Sequence, residues 1–164
     1  MTARLPVLCA VGAVALVMAA VALAGCGGES RMSAAEYRKA AQPIADRYQR
    51  TWLFEGYDAV HPDENDDMAS GLKAMRSRAA ESASQLSELS PPENVQKEHD
   101  ELVKYLGDVE DGAKTALDPS VSDQEFKAAL QKYATGTAGV QITGEAIKRK
   151  VGVDFNRPMP MPSE

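Results

Sequence analysis

Apolar side chains recur at spacings of three and four residues through most of the chain after residue 33. This spacing places them on one face of an α-helix. Four such stretches occur, and breaks that contain proline, glycine or aspartate separate them. No stretch shows the alternation of apolar and polar residues that indicates a half-buried strand. The pattern therefore predicts an all-α protein with four amphipathic helices.

The four apolar stripes are long enough to share one core. They consist of Tyr37, Ala41, Ile44, Tyr48 and Thr51; of Met68, Leu72, Met75, Ala79, Ala83, Leu86 and Leu89; of Val95, His99, Leu102, Leu106, Val109, Ala113 and Ala116; and of Phe126, Leu130, Tyr133, Thr137, Val140, Gly144, Ile147 and Val151. Spacings that alternate between four and three residues are typical of a bundle seam. We therefore expect an up-down-up-down four-helix bundle over residues 33–153.

The starts of the helices are marked by polar side chains that can accept hydrogen bonds from free backbone N–H groups. Ser33–Glu36 and Ser122–Glu125 both match a capping box, and Asp66 or Asp67 can cap the second helix. Pro43 falls inside the first stripe, where proline removes a backbone donor. It predicts a kink near residues 39–43 or a later start of the first helix.

Glycines and prolines shape the last part of the chain. Gly136, Gly139 and Gly144 each weaken the fourth helix by about 1 kcal/mol relative to alanine, or they allow a neighbouring helix to approach closely. Residues 154–164 alternate proline with other residues and cannot continue a helix. We predict that this Pro- and Met-rich tail is extended or disordered.

The N-terminus has the pattern of an export signal. A short basic start is followed by twenty uncharged residues, Leu5–Ala24, and small residues precede Cys26. Leu23-Ala24-Gly25-Cys26 resembles the lipobox of bacterial lipoproteins. The resemblance implies a signal peptide over residues 1–25 and a diacylglycerol on the sulfur of Cys26, which becomes the first mature residue. Residues 26–32 would then be a tether.

An uncleaved membrane anchor is the alternative, because twenty apolar residues can span a bilayer. Both hypotheses place the helical domain outside the cytoplasm, attached to the cell membrane. They differ in the attachment, since two acyl chains give stable anchoring where one does not. The stretch from Leu89-Ser90-Pro91-Pro92 to Leu102 also resembles helical hairpins of small bacterial lipoproteins, a resemblance that implies no activity.

Charge and cysteine content argue against several classes of protein function. The chain has a net charge of −6 and the part after residue 25 a balance of −7, which argues against a nucleic-acid partner. Cys9 lies in the signal peptide and Cys26 is consumed by lipidation. The mature domain therefore has no thiol for a disulfide, a metal site or nucleophilic catalysis.

Candidate chemistry is sparse. Asp63, Asn65 and Asp67 match the opening of a calcium loop, but Met68 stands where the turn glycine belongs, so a solvated loop explains them better. No Glu-x-x-His of a di-iron bundle occurs, nor does a hydrolase or phosphate-loop motif. Two methionines in a proline-rich tail are too few for a copper site. We expect no enzyme, no metal site and no cofactor.

Three aromatic residues, Trp52, Phe54 and Tyr57, lie close together near the end of the first helix. Aromatic side chains beside charged residues suit a contact patch for an envelope protein partner. They can instead close the end of the bundle. Both interpretations stay open on sequence alone.

His99 lies in the third apolar stripe, which directs its imidazole inward. A buried polar group needs a partner, because an unsatisfied one costs about 1–3 kcal/mol. We expect a tyrosine hydroxyl or a carboxylate to serve, or else a bound ligand. The sequence thus favours a non-catalytic envelope lipoprotein that acts as an interaction module, with a small-ligand or metal carrier using the bundle interior near His99 as the alternative.

Overall fold

Four helices build the fold in the computed structural model, which describes residues 30–56 and 68–157. They are α1 Ala34–Thr51, α2 Met68–Ser87, α3 Gln96–Ala116 and α4 Asp123–Val151. A π-helical turn, Trp52–Gly56, extends α1, and a 3-10 turn, Glu93–Val95, precedes α3. Consecutive helices pack on each other and α1 also meets α4, which confirms the all-α bundle.

Both predicted capping boxes are present. At the start of α1 the backbone N–H of Ser33 donates to Glu36 Oε2 at 2.8 Å, and Glu36 N–H donates to Ser33 Oγ at 3.3 Å. Ser122 and Glu125 make the same pair of bonds before α4. Each box satisfies backbone donors that have no partner within the helix.

Pro43 does not delay the start of α1, and that part of the prediction is wrong. The helix runs from Ala34 through Pro43 without a break. Because Pro43 has no backbone N–H, the carbonyl of Lys39, four positions earlier, loses its hydrogen-bond donor within the helix. Both Pro43 and Lys39 are exposed, so water can satisfy the freed carbonyl.

Glycines let α3 and α4 approach closely, as their positions in the sequence predict. A Cβ atom on Gly136 would lie 2.9 Å from the backbone nitrogen of Val109, and one on Gly139 would collide with the ring of Tyr105. Gly112 on α3 faces the backbone of Tyr133 in the same way. The interface between these two helices is therefore built on direct contact with backbone atoms.

The chain enters the bundle at the end that also holds the α2–α3 connection and the end of α4. Met32 N–H donates to the Ser90 carbonyl at 2.8 Å, and Lys150 Nζ donates to Glu98 Oε1 at 2.7 Å. We call this the tether end, and the opposite one, where α1 finishes, the far end. This arrangement confirms the up-down-up-down order. Met32 packs against the core, and residues 26–29 of the predicted tether lie outside the described residues.

The predicted disordered tail is wrong for its first residues. Gly152 ends α4 in the left-handed conformation, with φ of 78°, and the chain then turns back. Val153 and Phe155 are buried, at 0% and 1% exposure. We call residues 152–157 the C-terminal hook; residues 158–164 lie outside the described part of the chain.

Reciprocal hydrogen bonds attach the hook to α1. The Asp154 N–H donates to Gln42 Oε1 at 2.9 Å, and Gln42 Nε2 donates to the Asp154 carbonyl at 3.1 Å. Lys148 on α4 pairs with the Asp154 carboxylate at 2.8 Å. The hook therefore closes the gap between α1 and α4.

Across residues 30–56 and 68–157, no helix combines the length and apolar character needed to cross a membrane. The predicted signal peptide and Cys26 lie outside these ranges. Residues 57–67, which include the predicted solvated loop around Asp63, Asn65 and Asp67, also lie outside them.

Candidate functional site

His99 is buried in the core at 3% exposure, where its stripe places it. Its Nδ1 and the Tyr37 hydroxyl share a hydrogen bond of 2.9 Å that joins α3 to α1. The two rings meet edge to face, with centroids 5.7 Å apart. The tyrosine partner expected of a buried histidine is thus present.

A small hollow of about 270 Å³ opens beside this pair, lined by His99, Ser87, Leu89 and Gln96 among others. Burial lowers the pKa of His99. The negative charge of Asp100 and a hydrogen bond to the backbone of Leu86 act in the opposite direction but do not outweigh the burial. The polar contacts of the imidazole are therefore with Tyr37 and Leu86, within the protein.

Substituting His99 with alanine is expected to lower the free energy of unfolding by about 1–3 kcal/mol, because the buried hydroxyl of Tyr37 loses its partner. Urea denaturation of the two proteins measures the difference. Zinc or copper should leave both melting temperatures unchanged. A variant as stable as wild type that loses a copurifying ligand would contradict the structural role.

Because the pKa of His99 is lowered, the free energy of unfolding depends on pH in a definite direction. The ordinary histidine pKa is 6.5, so below that pH the unfolded chain binds a proton that folded His99 resists. Stability conferred by neutral His99 is fully present above pH 6.5 and is lost progressively as the pH falls below 6.5. His99→Gln cannot titrate and is the control, since both proteins share all their carboxylates. Equal slopes of stability against pH would argue against the buried neutral imidazole.

The aromatic residues near the end of α1 divide between the core and the surface. Trp52 is half-buried and packs against the core, so it closes the far end. Phe54 and its neighbour Leu53 are each 43% exposed on the π-helical turn. We call Leu53 and Phe54 the apolar tip. Tyr57, the third predicted member, lies outside the described residues.

A basic groove lies between α1 and the hook at the tether end. Its volume is about 870 Å³, and its charged lining residues are Arg38, Lys39, Lys148, Asp154 and Arg157. Sequence reasoning missed it, because the cations come from segments more than 100 positions apart and Arg157 was assigned to a disordered tail. Leu53 was missed because an isolated leucine beside aromatics gives no separate signal.

Within the described residues, no three or more histidine, cysteine, aspartate or glutamate side chains come together as a metal site would require. The partial calcium-loop match at residues 63–67 falls outside that part of the chain. Buried ionisable groups in the described core are the hydrogen-bonded His99 and tyrosines whose pKa values burial raises, Tyr37, Tyr48 and Tyr133.

Searches against protein-family models, curated proteins and solved structures found no match to this chain.

Proposed function

We propose that the protein is a non-catalytic, lipid-anchored envelope protein whose bundle presents the apolar tip to a protein partner. The observation that carries the proposal is the exposure of Leu53 and Phe54, adjacent apolar side chains that are 43% accessible on a π-helical turn. Apolar and aromatic side chains of this kind anchor protein interfaces. Single π-helical turns also occur frequently at functional sites.

The arrangement of the bundle supports this proposal. Residues 30–32 enter at the tether end, a few positions after Cys26. The apolar tip lies beyond the opposite end of α1, which has 18 residues. At a rise of about 1.5 Å per residue, α1 separates the two by about 27 Å. Acyl chains on Cys26 would therefore hold the tether end near the bilayer and direct the tip away from it.

The same side chains argue for binding rather than catalysis. A general acid or base must reach a substrate from a pocket. The His99 imidazole borders the 270 Å³ hollow but is 3% exposed and hydrogen-bonded to Tyr37, and the exposed apolar tip carries no nucleophile. An interaction role needs only the tip and a rigid support, and Trp52, next to the tip in the chain, is half-buried and packs against the core.

Photocrosslinking of the full chain in its own membranes tests the proposal. A benzoylphenylalanine replaces Phe54 in one variant and Ile142 in another; Ile142 is 73% exposed on α4 and serves as the matched apolar control. We expect a discrete crosslinked protein from position 54 and none from position 142. Equal products from both positions, or none from position 54, would overturn the partner role.

A third variant, Cys26→Ser, tests the anchor in the same preparation. It should lose fatty-acid labelling and keep its signal peptide, because a serine hydroxyl cannot replace the thiol that receives the lipid before lipoprotein-type cleavage. A Cys26→Ser protein that is still labelled and processed would show that the lipoprotein assignment is wrong. The partner role of the tip and the lipid attachment at Cys26 are thus tested independently.

A further inference from the structure

The basic groove carries positive charge that the protein itself leaves uncompensated. Lys148 is neutralised by Asp154, 2.8 Å away. Among the described residues, Arg38, Lys39 and Arg157 form no ion pair, and all three side chains are exposed. Three free cations on one concave surface stand out in a chain of net charge −6.

The walls of the groove are held in place. Gln42 at its floor exchanges two hydrogen bonds with the backbone of Asp154. Asn156 donates from Nδ2 to the Gln141 carbonyl at 3.1 Å, which attaches the hook to α4 just before Arg157. Arg38 lies along Gly152, where a Cβ atom would come within 3.4 Å of its Cδ. Cations from two chain segments are therefore brought together on a structured surface.

The position of the groove relative to Cys26 limits the molecules that the groove can contact. The chain is held to the bundle from Arg31, whose Nη1 donates to Gln96 Oε1 at 3.0 Å. Arg31 lies five positions after Cys26, and a fully extended chain covers at most about 3.6 Å per position. The tether end therefore stays within about 18 Å of an acyl chain attached at Cys26. The groove lies along the first turns of α1, at this same end.

We infer that the basic groove binds the phosphate headgroups of anionic phospholipids in the membrane that carries the anchor, an inference that rests on the proposed attachment at Cys26. Arg38, Lys39 and Arg157 supply charge and N–H donors for phosphate oxygens. Lys148 remains paired with Asp154 and completes the wall. Headgroup binding at this position holds the tether end against the bilayer and sets the orientation of the bundle.

Photoreactive lipids test this inference on the full chain reconstituted into vesicles. Phosphatidylcholine vesicles contain a trace of phosphatidylglycerol or phosphatidylcholine with a diazirine in the headgroup, and mass spectrometry locates the adducts. We expect phosphatidylglycerol adducts on the peptides around residues 35–42 and 148–157. Each cation near an anionic surface contributes about fivefold to binding, so Arg38→Ala/Lys39→Ala/Arg157→Ala should reduce the adducts on the order of a hundredfold.

A matched variant controls for net charge. Lys73→Ala/Arg76→Ala/Lys127→Ala removes three exposed cations from other surfaces and should leave the groove adducts unchanged. Lys39→Glu is a second test variant, since one exposed side chain on α1 can change without touching the hook. Circular dichroism verifies that each variant is folded.

Three outcomes would overturn the inference. They are equal labelling by the two lipids, adducts that persist in both test variants, and loss of labelling on adding inorganic phosphate but not chloride of equal ionic strength. The last would assign the groove to soluble phosphate compounds. Fatty-acid labelling of Cys26 is measured separately, and a chain without acyl groups is mixed with the same vesicles, so a failed anchor and a failed groove give different results.

Discussion

Replacing Gly112 with alanine is expected to lower the free energy of unfolding of the bundle by about 2 kcal/mol. A Cβ atom at this position would lie 2.6 Å from the backbone nitrogen of Tyr133 and 2.8 Å from the Ala129 carbonyl oxygen. Neither backbone atom can rotate away as a side chain can, so α3 and α4 must separate. The better helix propensity of alanine returns only about 1 kcal/mol.

Gly107 provides the control on the same helix. A Cβ atom there meets nothing within 4 Å. Gly107→Ala should therefore raise stability by up to about 1 kcal/mol, through helix propensity and the reduced entropy of the unfolded chain. Urea denaturation of the three proteins measures both effects. If both substitutions stabilise the fold, the close contact between α3 and α4 is not what Gly112 provides.

Replacing Phe155 with alanine is expected to cost about 3–5 kcal/mol, the range for a fully buried phenylalanine. The side chain is 1% exposed and packs over Gly144, where a Cβ atom would come within 2.7 Å of Phe155 Cβ. Its removal leaves a cavity over Gly144 on α4 and loosens the hook. Thermal and urea unfolding measure the loss.

Phe126 is the matched control, because it is only partly buried on α4 and lies outside the core cluster. Phe126→Ala should cost clearly less than Phe155→Ala. Limited proteolysis adds a local measurement, since a released hook exposes the backbone after Gly152. Equal stability losses for the two phenylalanines, with the hook still protected, would contradict the role assigned to Phe155.

Most of the helical architecture could be predicted because it depends on local pattern. The apolar stripes and the two capping boxes use residues at most four positions apart, which interact within one helix. The glycines at residues 136 and 139 also gave a usable signal, since glycine in a long helix suggests a close neighbour. The inward direction of His99 followed from its stripe alone.

The parts that escaped prediction depend on distant contacts. Nothing near Phe155 in the chain indicates burial, because the side chain packs over Gly144, eleven positions earlier on α4. The basic groove arises only when the hook brings Arg157 near Arg38. Trp52 and Phe54 lie two positions apart on a helical turn and therefore face different sides, so Trp52 packs against the core while Phe54 is exposed.

The C-terminal hook also determines the order in which the fold can be completed. Its bonds to α1 join residues 112 positions apart. Contacts across so long a loop form slowly, because closing the loop reduces the conformational entropy of the chain. The α3–α4 pair, by contrast, joins neighbours in the chain and can assemble early. A chain emerging from its N-terminus can therefore pack α1 on α2 and α3 first, and it gains the bonds between α1 and the hook only when residues 152–157 arrive. Until then Phe155 is missing from the core, and the newly made protein stays open along the gap between α1 and α4.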